Sequence, residues 1–424
     1  MRSAILEQIV GAMLVIALSV VAVGAGALST TASGPARGHP SAETVPLPGA
    51  TDGPTRDTLE AARLPVVDAV AAPYEDNAPV FAHYYMWWTA LHWRNKLGAD
   101  YQVNGQLPLA PALIHQDGCT ASSSFNGNTL LDVPPELYLV DQDAAGTFDL
   151  HLSQAAHAGI DGFAVAWPGD GTADQTPSSN RWNERLASMV DAVERFNEDG
   201  AEFRLMVAYQ SRRADRSPRP VTEVTNDLEY LARQYAEHPV FGITDITDQV
   251  LVIWMGSSSY TPEEIRTASR STRDELTLIG NEHRLANWQR GAADSFDGDH
   301  WYWSSQNPTK NPWSFEQVEA LANTIHDDGK LWLAPIAPGF NISNFGLGGT
   351  CVPRDDGETM RRLYEGNVRS QPDLWLIISW NEFLENTYVQ PSLRYGSRYL
   401  DLIREIFGPF ETSSSSAIAP GPGN

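Results

Sequence analysis

Basic residues are scarce in this chain. Its 29 Lys and Arg stand against 53 Asp and Glu, a formal net charge of −24. Holding a phosphate backbone requires clustered positive charge, so nucleic acid is excluded as a partner. The imbalance favours solubility, and a neutral ligand over an acidic polymer. Cysteine is scarcer still, with only Cys119 and Cys351 in 424 residues. Neither their spacing nor their His context supports a zinc site. In an exported chain an even pair points to one disulfide; the alternative is two separate buried thiols. A calcium loop is missing too. Asp141-Gln142-Asp143-Ala144-Ala145-Gly146 begins like one, but Ala145 takes the third acidic position and no closing Glu follows. No metal and no other cofactor is expected.

The ends of the chain read differently from its middle. Arg2 precedes an apolar run from Ile9 to Leu28, and Ala25-Gly26-Ala27 offers a cleavage site, so residues 1–28 read as a signal peptide. A run of about 20 apolar residues also spans a bilayer, so a retained membrane anchor is the competing reading. No Cys follows the run, which argues against a lipoprotein. Either reading puts the bulk of the protein outside the cytoplasm, secreted or tethered. Residues 29–76, rich in Pro, Gly and Ala, read as a linker, and residues 411–424 as a disordered tail. One domain is expected over residues 77–410.

Within it, apolar strand-like runs recur at Val80–Trp88, Ile160–Trp167, Phe203–Gln210, Val250–Met255, Thr277–Gly280, Phe296–Trp303, Lys330–Pro335 and Leu374–Trp380. Helical periodicity lies between most of them, over 183–197, 315–326, 359–370 and 395–407. Ser314 with Gln317 three residues later reads as a capping box. Continuous apolar strands alternating with helices imply a parallel sheet covered on its outer face. Eight repeats imply an α/β fold of the (β/α)8 barrel type, with Thr89 to Gly146 as a long first βα loop.

Active sites of such barrels sit at the C-terminal ends of the strands. Those ends carry His83, Tyr84, Tyr85, Trp87, Trp88, Trp167, Tyr209, Gln210, Trp254, Trp301, Trp303, Asn381 and Tyr388 as candidate ligand-binding residues. Flat aromatic faces suit sugar C–H groups, and amides suit hydroxyls. His83 has two readings, a substrate contact or an imidazole satisfied inside the barrel mouth. The last strand runs straight into Trp380-Asn381-Glu382-Phe383-Leu384-Glu385. Carboxylates are seldom delivered to a buried rim without a partner or a task, and a close pair suits glycoside cleavage. Glu382 and Glu385 are therefore the expected catalytic residues. Asp294, Asp297, Asp299 and His300 form an acidic cluster read as structural or substrate-facing rather than metal-binding, and Asp161 as a tie at the base of the second strand. Asn341-Ile342-Ser343 is a glycosylation sequon.

Five segments together carry a family resemblance. They are His83-Tyr84-Tyr85-Met86-Trp87-Trp88, Gly159-Ile160-Asp161-Gly162-Phe163, Phe296-Asp297-Gly298, Pro335-Ile336-Ala337-Pro338-Gly339-Phe340, and Ser379-Trp380-Asn381-Glu382-Phe383-Leu384-Glu385-Asn386-Thr387. This combination resembles glycoside hydrolase family 99, which includes endo-acting α-mannosidases. Val80-Phe81-Ala82-His83 and the Trp-Asn-acid-x-x-Glu ending are also similar to family 71, the endo-1,3-α-glucanases. The resemblance spans roughly residues 79 to 407. It implies an endo-acting hydrolase of an α-linked polysaccharide, α-mannan or α-glucan. Glu382 would be the base that deprotonates the sugar 2-hydroxyl, and Glu385 the acid and then base at the leaving oxygen and water. The outcome would be retention through a 1,2-anhydro sugar. The chain departs from the family where Leu384 and Asn386 replace His and Gly, and where Gln390 replaces an acid. The rival expectation is a non-catalytic carbohydrate-binding or polysaccharide-assembly protein on the same barrel.

Overall fold

The computed structural model describes residues 78–97, 119, 130–135, 140–144, 146–170, 180–213, 215–342 and 350–408. The export segment 1–28, the linker 29–76, the tail 411–424, much of the first loop and Ser343 of the sequon lie outside the described residues. Among the described residues no helix is long and apolar enough to cross a membrane.

Eight strands close a parallel barrel: β1 (Val80–Tyr85), β2 (Gly162–Trp167), β3 (Arg204–Gln210), β4 (Val250–Met255), β5 (Leu276–Gly280), β6 (Gly298–His300), β7 (Leu331–Ile336) and β10 (Leu374–Ile377). Their order around the barrel is β1-β10-β7-β6-β5-β4-β3-β2. Each expected strand is present. The long apolar runs shorten at their ends, where Trp87, Trp88 and Trp301 to Trp303 already belong to loops. An antiparallel pair in the loop after β7, β8 (Phe340–Asn341) with β9 (Cys351–Val352), was not foreseen.

Strand side chains alternate between two cores, as the period of two requires. Phe81, Ala164, Met206, Leu251, Ile253, Ile279, Leu333 and Leu376 fill the barrel. Ala82, Tyr84, Phe163, Val165, Leu205, Val207, Val252, Trp332 and Trp375 face outward to the helices. These are α1 (Ala90–Leu97), α2 (Thr147–His157), α3 (Asn180–Glu198), α4 (Val221–Tyr235), α5 (Pro262–Ser269), α6 (Ser314–Asp327), α7 (Glu358–Asn367) and α8 (Arg398–Phe407). The expected capping box at Ser314 does not form. Trp313 is the N-cap, without a side-chain cap bond, and the Ser314 hydroxyl accepts instead from Gln306 Nε2 at 3.0 Å. Buried Gln306 also exchanges hydrogen bonds with Asn367, and this network claims Ser314. A capping box does open α5, between Thr261 and Glu264.

Three aspartates seal the base of the barrel in the same way. Asp161 accepts from Val80 N, Asp297 from Leu278 N and Asp373 from Trp332 N, at 2.7, 2.8 and 2.7 Å. Each sits just before its own strand and satisfies an amide at the foot of a neighbour, which explains two of the acids singled out in the sequence. The glycines that follow two of them allow close packing. A Cβ on Gly162 would sit 2.2 Å from the Phe81 ring, and one on Gly298 2.4 Å from Leu331 O. Cys119 and Cys351 form one disulfide, with Cα atoms 5.7 Å apart, which joins the first loop to β9.

Candidate active site

The acid segment leaves β10 and folds back on itself. Ser379 N donates to Thr387 O, Val389 N to Ser379 O, and Gln390 N to Trp380 O. The Ser379 hydroxyl accepts from Glu382 N at 2.8 Å. Asn381 locks this loop to β1: its amide accepts from Tyr85 N at 2.8 Å and donates to Tyr85 O at 2.9 Å. Both ends of that side chain are thereby used.

Glu382 and Glu385 are almost fully buried, 1% and 3% exposed. Burial holds both carboxyls above the usual range, Glu385 at about 8, and the charge of Glu385 raises Glu382 further. Their surroundings differ in one decisive way. Glu382 Oε1 accepts from Leu384 N at 2.8 Å, and the buried Lys96 ammonium of α1 favours its ionised form. Among the described residues, nothing donates to either oxygen of Glu385. The two carboxyls thus differ in their donors: Glu382 is held by a backbone amide and faced by a cation, and Glu385 accepts from none of the described residues. Lys96 itself is brought down to about 8 by burial, against the pull of Glu382.

Around these acids the lumen carries His83, Tyr85, His300 and Tyr302. Tyr85 and Tyr302 share a hydroxyl hydrogen bond of 2.8 Å, and burial and then neighbouring charges, including both glutamates, raise both phenols. Trp87 stacks on Tyr85 at 4.5 Å, and its indole N–H has no partner among the described residues. His83 and His300 meet Nε2 to Nε2 at 3.1 Å, while His300 Nδ1 faces Leu333 O at 2.9 Å. That carbonyl can only accept, so His300 is protonated on Nδ1 and His83 donates from Nε2. Burial keeps both imidazoles neutral, His300 falling to about 4. His83 is thus satisfied within the mouth. Gln210 ends β3 half-buried, its amide donating to Ala208 O at 3.2 Å.

Several expected ligand contacts face elsewhere. Tyr84, Trp167, Tyr209 and Trp254 lie on the outer face of the strands, in the core shared with the helices. Tyr84 bonds His151 at 2.7 Å, Trp167 bonds Asn183 at 2.8 Å and stacks on Tyr230, and Tyr209 donates to Asp227 at 2.6 Å. Trp88 and Tyr388 support the acid loop from behind. Trp88 stacks on Trp93 and donates to Asn381 O, while Tyr388 stacks on Phe383 and donates to Asp132 at 2.6 Å. Trp301 is buried in the outer core with Trp303 stacked on it at 4.1 Å. Strand parity was the missed signal: residues two apart share a face, so Phe81, His83 and Tyr85 go inward together and Tyr84 cannot. Lys96 and Arg354 were missed altogether, because neither stands in a strand-end motif. Asp143, from the abandoned calcium loop, pairs with Arg181 and Arg185.

In fold the barrel is similar to solved glycoside hydrolases. A family 99 endo-α-mannosidase from Bacteroides thetaiotaomicron, bound to bis-tris propane, matches 77% of this chain and 95% of its own at 16% identity, TM-score 0.58. A second structure of such an enzyme from that organism gives 16% and 0.56, over 77% and 96%. A glycoside hydrolase-like protein gives 14% and 0.54, over 78% and 94%. No protein-family profile matches the chain, and no curated protein sequence does.

The three departures from the family motif now have physical accounts. Leu384 is buried in the cluster of Trp88, Trp93 and Phe383. Asn386 has φ +56°, a left-handed conformation that Gly takes freely and Asn tolerates best among the rest. Gln390 is buried and contacts His151 Nε2 at 3.0 Å, the imidazole that holds Tyr84. All three belong to the scaffold of the loop.

Proposed function

We propose that this protein is an exported, endo-acting glycoside hydrolase that cleaves an α-linked mannan or glucan with retention. The observation that carries the proposal is the buried carboxyl pair with unequal donors: Glu382 accepts from Leu384 N and faces Lys96, which suits the base, and no described group donates to Glu385, which suits the acid. A base and an acid at neutral pH are what glycosidic cleavage needs. Glu382 takes the proton of the sugar 2-hydroxyl as that oxygen attacks the anomeric carbon. Glu385 gives its proton to the departing oxygen. Water then opens the 1,2-anhydro ring, losing a proton to Glu385 while Glu382 returns one to the 2-oxygen. Tyr85, Trp87 and Tyr302 supply aromatic and hydroxyl surface beside the reacting centre. Export accords with the Cys119–Cys351 bridge, which persists in an oxidising compartment. The fold likeness to family 99 supports the reaction class, and the α-mannan alternative comes from those neighbours.

The test is to incubate the full chain with a panel of α-mannans and α-glucans, reading new reducing ends and the anomer released. Glu382→Gln and Glu385→Gln should each lower kcat by about 10²- to 10⁴-fold. Activity should fall as pH rises through about 8, where Glu385 loses its proton. Glycan binding without turnover, or full activity in both variants, would sink the reading and favour a non-catalytic binding protein.

A further inference from the structure

Arg354 lies three residues beyond Cys351 and is wholly buried. Among the described residues no carboxylate stands within ion-pair distance of it. Its guanidinium instead sits 4.5, 4.5 and 4.4 Å from the ring centres of Tyr388, Tyr395 and Tyr399. One nitrogen, Nη2, donates to two carbonyls of the acid loop, Asn386 O at 3.0 Å and Tyr388 O at 2.7 Å. A third loop carbonyl, Glu385 O, accepts from Asn341 N of β8 at 2.7 Å. The segment after β7 therefore grips the backbone at and just after Glu385 from one side. A buried cation is costly unless compensated, and here three ring faces, two carbonyls and the charge of Asp132 compensate it.

We propose that Arg354 is a positioning residue, a clamp that fixes the turn at Asn386 and so keeps the Glu385 carboxyl in its dry setting. This rests on the hydrolase reading for its functional meaning, though not for its test. Arg354 acts through the loop backbone: its hydrogen bonds end on Asn386 O and Tyr388 O, and the Glu385 carboxyl accepts from none of the described residues. The titratable groups that share the mouth with Glu385 are Glu382, Tyr85, Tyr302 and the neutral imidazoles of His83 and His300, with Lys96 beyond Glu382. None of them touches the clamp. Burial alone raises Glu385. Loosening the turn would admit water and bring its titration down toward that of an ordinary carboxyl.

The experiment titrates the Glu385 side chain in the full chain by carbon NMR of glutamate labelled at its carboxyl, the resonance assigned by its loss in Glu385→Gln. Arg354→Lys keeps a cation among the rings but loses the Nη2 position that bonds both carbonyls. Its Glu385 midpoint should fall by ~1 pH unit or more. Tyr399→Leu removes one ring face and should give a smaller fall in the same direction, and it carries the test if Arg354→Lys does not fold. Near-UV circular dichroism checks that each variant is folded. A folded variant with the wild-type Glu385 titration overturns the proposal. On an α-glycan, the alkaline limb of kcat should move by the same amount with KM within about threefold, where a purely stabilising role would leave that limb in place. If the wild type hydrolyses nothing, the functional reading fails while the carboxyl titration still decides the clamp.

Discussion

A buried acid held protonated by its surroundings should weaken the fold, and Glu385 allows the size of that effect to be worked out. Its carboxyl titrates near 4.5 when unperturbed and at about 8 in the folded protein. Below about pH 4.5 both states are protonated and the group contributes nothing. Between the two values the unfolded chain ionises while the folded one does not. The folded state then binds more protons, and stability falls as pH rises. Above about 8 the penalty is complete. For a single site this amounts to about 1 kcal/mol at pH 5 and about 4 kcal/mol at pH 8. Glu385→Gln removes the titration while keeping the shape. Its amide finds no partner where the carboxyl found none, a cost that is the same at both pH values and cancels in the difference. Urea unfolding of wild type and variant at pH 5 and pH 8 measures this directly. The variant should gain about 3 kcal/mol relative to wild type between the two conditions. Loss of the Glu385 charge would also ease Glu382, which acts in the same direction. Parallel pH dependence in the two proteins would refute the claim that Glu385 is held protonated by burial.

Two further outcomes test the scaffold. Cys351→Ser opens a bridge between residues 232 apart and should lower stability by about 2–5 kcal/mol under oxidising conditions, read by urea unfolding against reduced wild type, which should match the variant. Tyr209→Phe strips Asp227 of its 2.6 Å hydroxyl bond on the helix side of β3 and should cost about 1–3 kcal/mol. Because that ring faces away from the lumen, kcat/KM on any glycan the wild type cleaves should be unchanged; a raised KM would restore Tyr209 to the binding surface.

The barrel was legible because its strands are buried on both faces and so read as unbroken apolar runs, each followed by a helix. The acid pair was legible because charge at the end of such a run has few explanations. Short elements were not. α1 has eight residues, and β8 and β9 have two each; α6 was legible over 315–326 and differs only at its cap, where a buried Gln claims the Ser314 hydroxyl. Ligand contacts were over-assigned for a related reason. Residue type and position at a strand end do not tell mouth from helix side, and Tyr84, Trp167, Tyr209 and Trp254 face the helices by the geometry of the strand.

From the sequence alone came the eight-fold repeat, the two glutamates that end it, and the net negative charge, because each depends on local pattern or composition. Only the tertiary structure decided which aromatics look inward and which groups reach the acids. Lys96 and Arg354 come from segments far from Glu382 and Glu385 in the chain, and no local pattern marks them. The difference between a carboxyl with donors and a carboxyl without them is a property of what folding places around two otherwise identical side chains.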